Sequence, residues 1–121
     1  MSEKIKRKNN IRISGHGERF LIFAHGYGCD QNMWRLVSPA FEKEFKIILF
    51  DHVGSGKSDI SAYDFEKYNS LQAYADDLIE ICDELNLNKV IFVGHSVSSI
   101  IGVLAAIKRP ELFEKLILIG P

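Results

Sequence analysis

No stretch of this 121-residue sequence approaches the roughly 18 consecutive apolar residues of a membrane-spanning helix. The basic run Lys4-Ile5-Lys6-Arg7-Lys8 has no apolar segment after it. It therefore reads as a solvated end and not as a secretory signal. An excess of charge of one sign is missing too. Fifteen Lys and Arg stand against 16 Asp and Glu, for a formal net charge of −1. Nothing in that balance favours nucleic acid or an anionic membrane as a partner. Cysteine is scarce: Cys29 and Cys82 are the two present, far apart and without metal-ligand spacing. No metal and no cofactor are expected, and both cysteines read as free thiols of a cytoplasmic protein. Cys82 falls in an apolar helical stripe and is assigned to the core. Cys29 is a small residue of a glycine loop. Repeats, low-complexity tracts and linkers are also absent. The 46% hydrophobic and 26% charged residues are those of an ordinary globular domain or part of one.

What is present is an alternation of strand and helix signals. Phe20–Ala24, Lys46–Asp51, Lys89–Gly94 and Lys115–Gly120 are short, continuous apolar runs. Such runs fit strands buried on both faces of a parallel sheet. Asn10–Ser14 alternates Ile11 and Ile13 with polar residues and reads as an edge strand. Leu71, Tyr74, Ala75, Leu78, Ile81, Cys82 and Leu85 share one helix face. Asn69 and Gln72 have the spacing of a capping box, which predicts the start of that helix. Trp34, Val37, Phe41 and Phe45 form a second stripe, in which Pro39 starts a fresh turn. Val97, Ile100, Ile101, Leu104 and Ala105 form a third, ended by Arg109-Pro110. Alternating strands and helices predict an α/β fold, a mostly parallel sheet with helices on both faces.

The informative segment is Val93-Gly94-His95-Ser96-Val97-Ser98. It follows an apolar strand and opens an apolar helix, the context of a G-x-S-x-G nucleophile elbow. So tight a turn strains the backbone of the central serine and projects its hydroxyl from the sheet edge. Gly94 leaves room for the chain to pass close. The Val97 amide, at a helix N-terminus, points where an oxyanion would form. Ser98 replaces the final glycine of the pattern, at a place where a small residue must pack against the neighbouring strand.

A second oxyanion donor is expected from His25-Gly26-Tyr27-Gly28, which follows the first buried strand and whose glycines allow close backbone approach. The Tyr27 amide is that donor, with its side chain at the pocket mouth. Gly56-Lys57-Ser58 suggests a phosphate loop, but Asp51 stands where that motif needs glycine. The segment is read instead as a structured turn beside the site.

With these segments placed, the sequence resembles the α/β-hydrolase superfamily. Within it, the sequence resembles the RsbQ-like hydrolases of the bacterial sigma-B energy-stress pathway and is similar to the plant karrikin and strigolactone receptor hydrolases. The carrying residues are His25 to Gln31, Ile48 to Gly56, Phe92 to Ser98 and Arg109-Pro110-Glu111-Leu112-Phe113. The resemblance covers nearly all of the chain from about Ile11 onward. It implies a serine hydrolase with Ser96 as nucleophile, Tyr27 and Val97 as oxyanion hole, and His25, Gly26, Gly28 and His95 at the pocket. It further implies a lid of helices over a small apolar pocket, a small hydrophobic ester-like or lactone-like ligand, a part in the stress response and an RsbP-like partner phosphatase. Tyr27 stands where the family often has phenylalanine, a difference that bears on pocket polarity.

Triad partners in this fold follow the serine in the order acid, histidine. Twenty-five residues follow Ser96, and none is His or Asp. Residues 1–121 therefore read as the N-terminal part of a single α/β-hydrolase domain, with acid, base and lid beyond Pro121. Among upstream histidines, His95 should point away from Ser96, His25 belongs to the oxyanion loop, and His16 and His52 have no geometric case. Without a base, serine is a weak nucleophile. A ligand-binding protein without turnover, or an inactive fragment, is the alternative. The open apolar edge predicts marginal stability or aggregation of this chain alone.

Overall fold

The structure, a computed structural model, describes residues 2–121. The four apolar runs become β2 (Arg19–Ala24), β3 (Phe45–Phe50), β4 (Val90–His95) and β5 (Phe113–Ile119), and the alternating run becomes β1 (Arg12–Ser14). They form one sheet in the order β1-β3-β2-β4-β5. Only β1 runs antiparallel, with Ile13 opposite Ile48. The remaining pairs are parallel, because the connections between them cross over the sheet.

Register places the site. Ala24 lies opposite both Phe50 and Gly94, so β2, β3 and β4 end level. The residues just past those ends gather at one edge, where ligands bind in open α/β sheets.

Alternation along the strands divides the core. Ile22, Ile48, Phe50 and Phe92 face one layer, with Leu78, Ile81 and Cys82 of α2 (Leu71–Glu84) and Ile101 and Ala105 of α3 (Val97–Lys108). Leu21, Phe23, Ile47, Ile91 and Val93 face the other, against Trp34. Cys82 is fully buried, as its place in the stripe required. At the outer edge, Ile117, Leu118 and Ile119 of β5 remain 39–46% exposed.

Four local expectations are corrected. The Trp34–Phe45 stripe is not one helix. It folds as 3-10 turns, Gln31–Trp34 and Ser38–Phe41, with Pro39 opening the second. Asp30 caps the first through the Asn32 amide, and only Trp34 of the stripe is fully buried. The capping box does not form either. α2 starts at Leu71 with Ser70 as its N-cap, and the Gln72 side chain bonds Asp76 instead. On α3, Ile100 lies outside the core, 43% exposed. The basic N-terminus is solvated, with no buried residue in its helix, but it is not a loose end. It forms α1 (Glu3–Lys8), capped by Ser2, and Lys8 reaches Asp77 and Glu80 of α2 at 2.8 and 2.9 Å.

Candidate active site

Ser96 is the single residue between β4 and α3, with φ 58° and ψ −123°. This positive-φ conformation, the mirror of the extended region, is one that a residue with a Cβ adopts at a cost of about 1–3 kcal/mol. The turn is held on both sides. The Ser96 amide donates to the Ile119 carbonyl at 2.8 Å, and the Ser99 amide donates to the Ser96 carbonyl at 2.9 Å. Ser96 is half-buried, and its hydroxyl has no hydrogen-bond partner among the described residues. The Val97 amide opens α3, where first-turn N–H groups have no helical acceptor.

Gly94 is required by contact. A methyl group there would lie 2.7 Å from the Ser98 carbonyl oxygen and 2.7 Å from the Phe92 ring. The oxygen belongs to the helix backbone and cannot swing aside. Gly94→Ala is expected to destabilise the protein by about 1–3 kcal/mol, the usual cost of overpacking. A urea titration measures it, and a midpoint unchanged from wild type would show that the elbow tolerates the methyl group.

The His25–Gly28 loop lies against this turn. A Cβ on Gly26 would sit 3.0 Å from Ser96 Cβ and against the His95 ring. Gly28 takes φ +75° with open space around it, and the Cys29 amide closes the turn on the Gly26 carbonyl at 3.1 Å. Among the described residues the Tyr27 amide donates no hydrogen bond. The Tyr27 side chain is 90% exposed.

Beside the loop opens a cavity of about 630 Å³ lined by His25, Gly26, Tyr27, Gly28, His52, Val53, Gly54, Ser55, Ile60, Tyr63, Leu71, Tyr74, Val97 and Ile101. Of the residues expected at the pocket, His25, Gly26, Tyr27, Gly28 and Val97 form its wall. His95 does not: its half-buried ring packs on Gly26, and its Nδ1 is buried without a partner. Ser96 does not line the cavity itself; it lies against Gly26, which does, and precedes Val97, which also does. The Asp51–Asp59 segment is an ordered turn, since the buried Asp51 carboxylate accepts from the Gln31 and Lys57 amides and the Asn10 side chain at 2.8–2.9 Å.

No histidine hydrogen-bonds Ser96. His16 lies exposed at the far end of the sheet, before β2. His25 and His52 are committed elsewhere. The His52 amide donates to His25 Nε2 at 3.0 Å, so the His25 proton sits on Nδ1, 2.9 Å from the Gly26 carbonyl. The Ser98 hydroxyl donates to the His25 carbonyl. It is also 2.7 Å from His52 Nε2, which must then be the protonated nitrogen. His52 Nδ1 is left bare and buried. Burial, with His25 alongside, drives the His52 pKa down to about 3, so the ring is neutral at any working pH. Sequence reasoning found Ser98 only as a small residue and gave His52 no role. The one local signal was the serine standing where the elbow pattern has glycine.

The family model for the alpha/beta hydrolase fold matches residues 20–121. The chain is 49% identical over 111 residues to strigolactone esterase RMS3 of Pisum sativum, covering 92% of this chain and 42% of that protein. It is 41% identical over 116 residues to karrikin insensitive 2 receptor CA of Petunia hybrida, covering 96% and 43%. Among solved structures, the hydrolase olei00960 from Oleispira antarctica superposes with a TM-score of 0.93 at 44% identity, over 97% of this chain and 44% of that one. The chain thus spans about two fifths of the length of these relatives. Strand order, elbow and family match agree, and the chain belongs to the α/β-hydrolase fold family.

Proposed function

We propose that this chain carries the nucleophile of a serine hydrolase acting on a small, hydrophobic ester-like or lactone-like ligand. One observation carries the reading: Ser96 sits alone in a strained strand-to-helix turn, its hydroxyl unengaged, with Gly26 of the His25–Gly28 loop packed against it, and neither the Tyr27 nor the Val97 amide donates a hydrogen bond among the described residues. Such a turn is kept at an energetic cost and so points to chemistry. The Tyr27 and Val97 amides take up the charge of the tetrahedral intermediate. The cavity wall, with Val53, Ile60, Leu71 and Ile101 among its residues, selects apolar ligands. Acid and base come from residues outside these 121, as the fold's chain order requires.

The test uses the complete protein with a p-nitrophenyl ester and a fluorophosphonate label. Turnover and a label on Ser96 are expected. A folded protein with neither would reject the hydrolase reading. A second reading, a ligand-binding signalling protein without turnover, is favoured by the petunia relative, which is named a receptor. Tight ligand binding at zero turnover would select it. The stress-response role with a partner phosphatase is part of the proposal through the resemblance alone. Binding of a purified RsbP-like phosphatase to the complete protein tests it.

A further inference from the structure

We propose that His52 and Ser98 are positioning residues for the oxyanion hole, locking the His25-Gly26-Tyr27 loop onto the first turn of α3 so that the Tyr27 and Val97 amides stay convergent. This rests on the hydrolase reading above. The loop leaves β2, His52 follows β3, and Ser98 opens α3. Three hydrogen bonds tie them: the His52 amide to His25 Nε2, the Ser98 hydroxyl to the His25 carbonyl, and His52 Nε2–H to Ser98 Oγ. Tyr27 is two residues beyond the held His25, and Val97 is the residue before the held Ser98. Movement at either anchor reaches a donor at once.

Burial makes the lock rigid. His25, His52 and Ser98 are 1%, 5% and 0% exposed, so water does not compete for these groups. The choice of histidine supports a role beyond packing. The His52 ring makes edge contacts with His25, Phe50 and Tyr74 at 4.5, 5.2 and 5.6 Å, aromatic packing that does not itself call for ring nitrogens. Phenylalanine would also remove the bare, buried Nδ1, whose desolvation is costly. The ring nitrogens are kept despite that cost, and what they add is the Nε2–H bond to Ser98. Glycine at position 98, the usual elbow residue, could not receive it.

The test compares His52→Phe, His52→Gln and Ser98→Ala in the complete protein. Misplacement of a catalytic group by ~1 Å costs ~100-fold in rate. His52→Phe and Ser98→Ala are therefore expected to lower kcat by about 10- to 100-fold while KM stays within about threefold. His52→Gln keeps a side-chain N–H and is expected to recover most of kcat, which a purely structural role would not explain. ¹⁵N spectra of the wild-type ring nitrogens should show His25 protonated at Nδ1 and His52 at Nε2. An active wild type whose two deletion variants keep full kcat would overturn the inference, as would a His52 protonated at Nδ1. A complete wild type without turnover or labelling would instead reject the hydrolase reading, and the positioning role with it.

Discussion

Replacing Ser96 by alanine in the complete protein is expected to lower ester turnover by about 10⁴-fold or more, the scale of nucleophile deletion in serine hydrolases. The size follows from the chemistry. Without the hydroxyl no acyl-enzyme forms, and the amides of Tyr27 and Val97 are left to stabilise direct attack by water. Ser96→Gly should abolish turnover equally, yet the two variants should differ in stability. Alanine keeps the Cβ and therefore the strain of φ 58° and ψ −123°. Those angles mirror the ordinary extended region, which glycine enters freely. Ser96→Gly removes about 1–3 kcal/mol of strain and loses about 1 kcal/mol or less through the greater freedom of the unfolded chain. It should therefore melt higher than Ser96→Ala. The measurement pairs kcat/KM with a denaturant midpoint for each variant. Equal midpoints would mean that the turn is not strained, and residual turnover near wild type would remove Ser96 from the chemistry.

The strands were legible because their requirements are local. A strand buried on both faces must be apolar at every position, and Phe20–Ala24 and Val90–Gly94 show it directly. The elbow was legible for a similar reason. Gly94 is forced by an atom four residues away, the Ser98 carbonyl, so the constraint is written within one short segment. The Trp34–Phe45 segment was misread because distant groups shape it. The Gln31 amide that opens its first turn is held by the Asp51 carboxylate at 2.8 Å. No periodicity reports such a bond. The His52–Ser98 contact spans 46 positions and is equally silent in the sequence. The helix at the N-terminus has six residues, too few to be stable alone. It is held by contacts with the rest of the fold: Ser2 caps it, Ile5 packs on the core, and Lys8 reaches the Asp77 carboxylate of α2.

That carboxylate carries the second large effect. Lys8→Met is expected to destabilise the protein by about 3 kcal/mol, the lower end for breaking a buried ion pair. Asp77 is 3% exposed on α2. It receives the Lys8 ammonium on Oδ1 at 2.8 Å and the Tyr68 hydroxyl on Oδ2 at 2.9 Å. Methionine would leave the charge with the hydroxyl alone. Lys8 keeps 13% of its side-chain surface in water, and that screening holds the figure at the low end. Burial disfavours the Lys8 charge, but the bonds to Asp77 and Glu80 outweigh it and raise its pKa above the ordinary value. A raised pKa stabilises the fold below the unfolded-state value of 10.5 and loses that contribution as pH climbs through the folded value. Tyr68, raised by burial and then by Asp77, is present in both wild type and Lys8→Met, so the pH dependence of their difference comes from Lys8. The gap between wild type and Lys8→Met should therefore be flat from about pH 7 to 10 and narrow above that range. Adding Asp77→Asn to Lys8→Met should restore part of the loss, because it removes the orphaned charge. The consequence reaches the site. Tyr68 packs on Tyr74 at 4.9 Å between ring centroids, and Tyr74 meets His52 at 5.6 Å. Lys8 thus braces a wall of the cavity from the opposite end of the chain. Urea midpoints at pH 7, 9 and 11 decide the matter: a loss under about 1 kcal/mol at pH 7 would make the pair an ordinary surface contact.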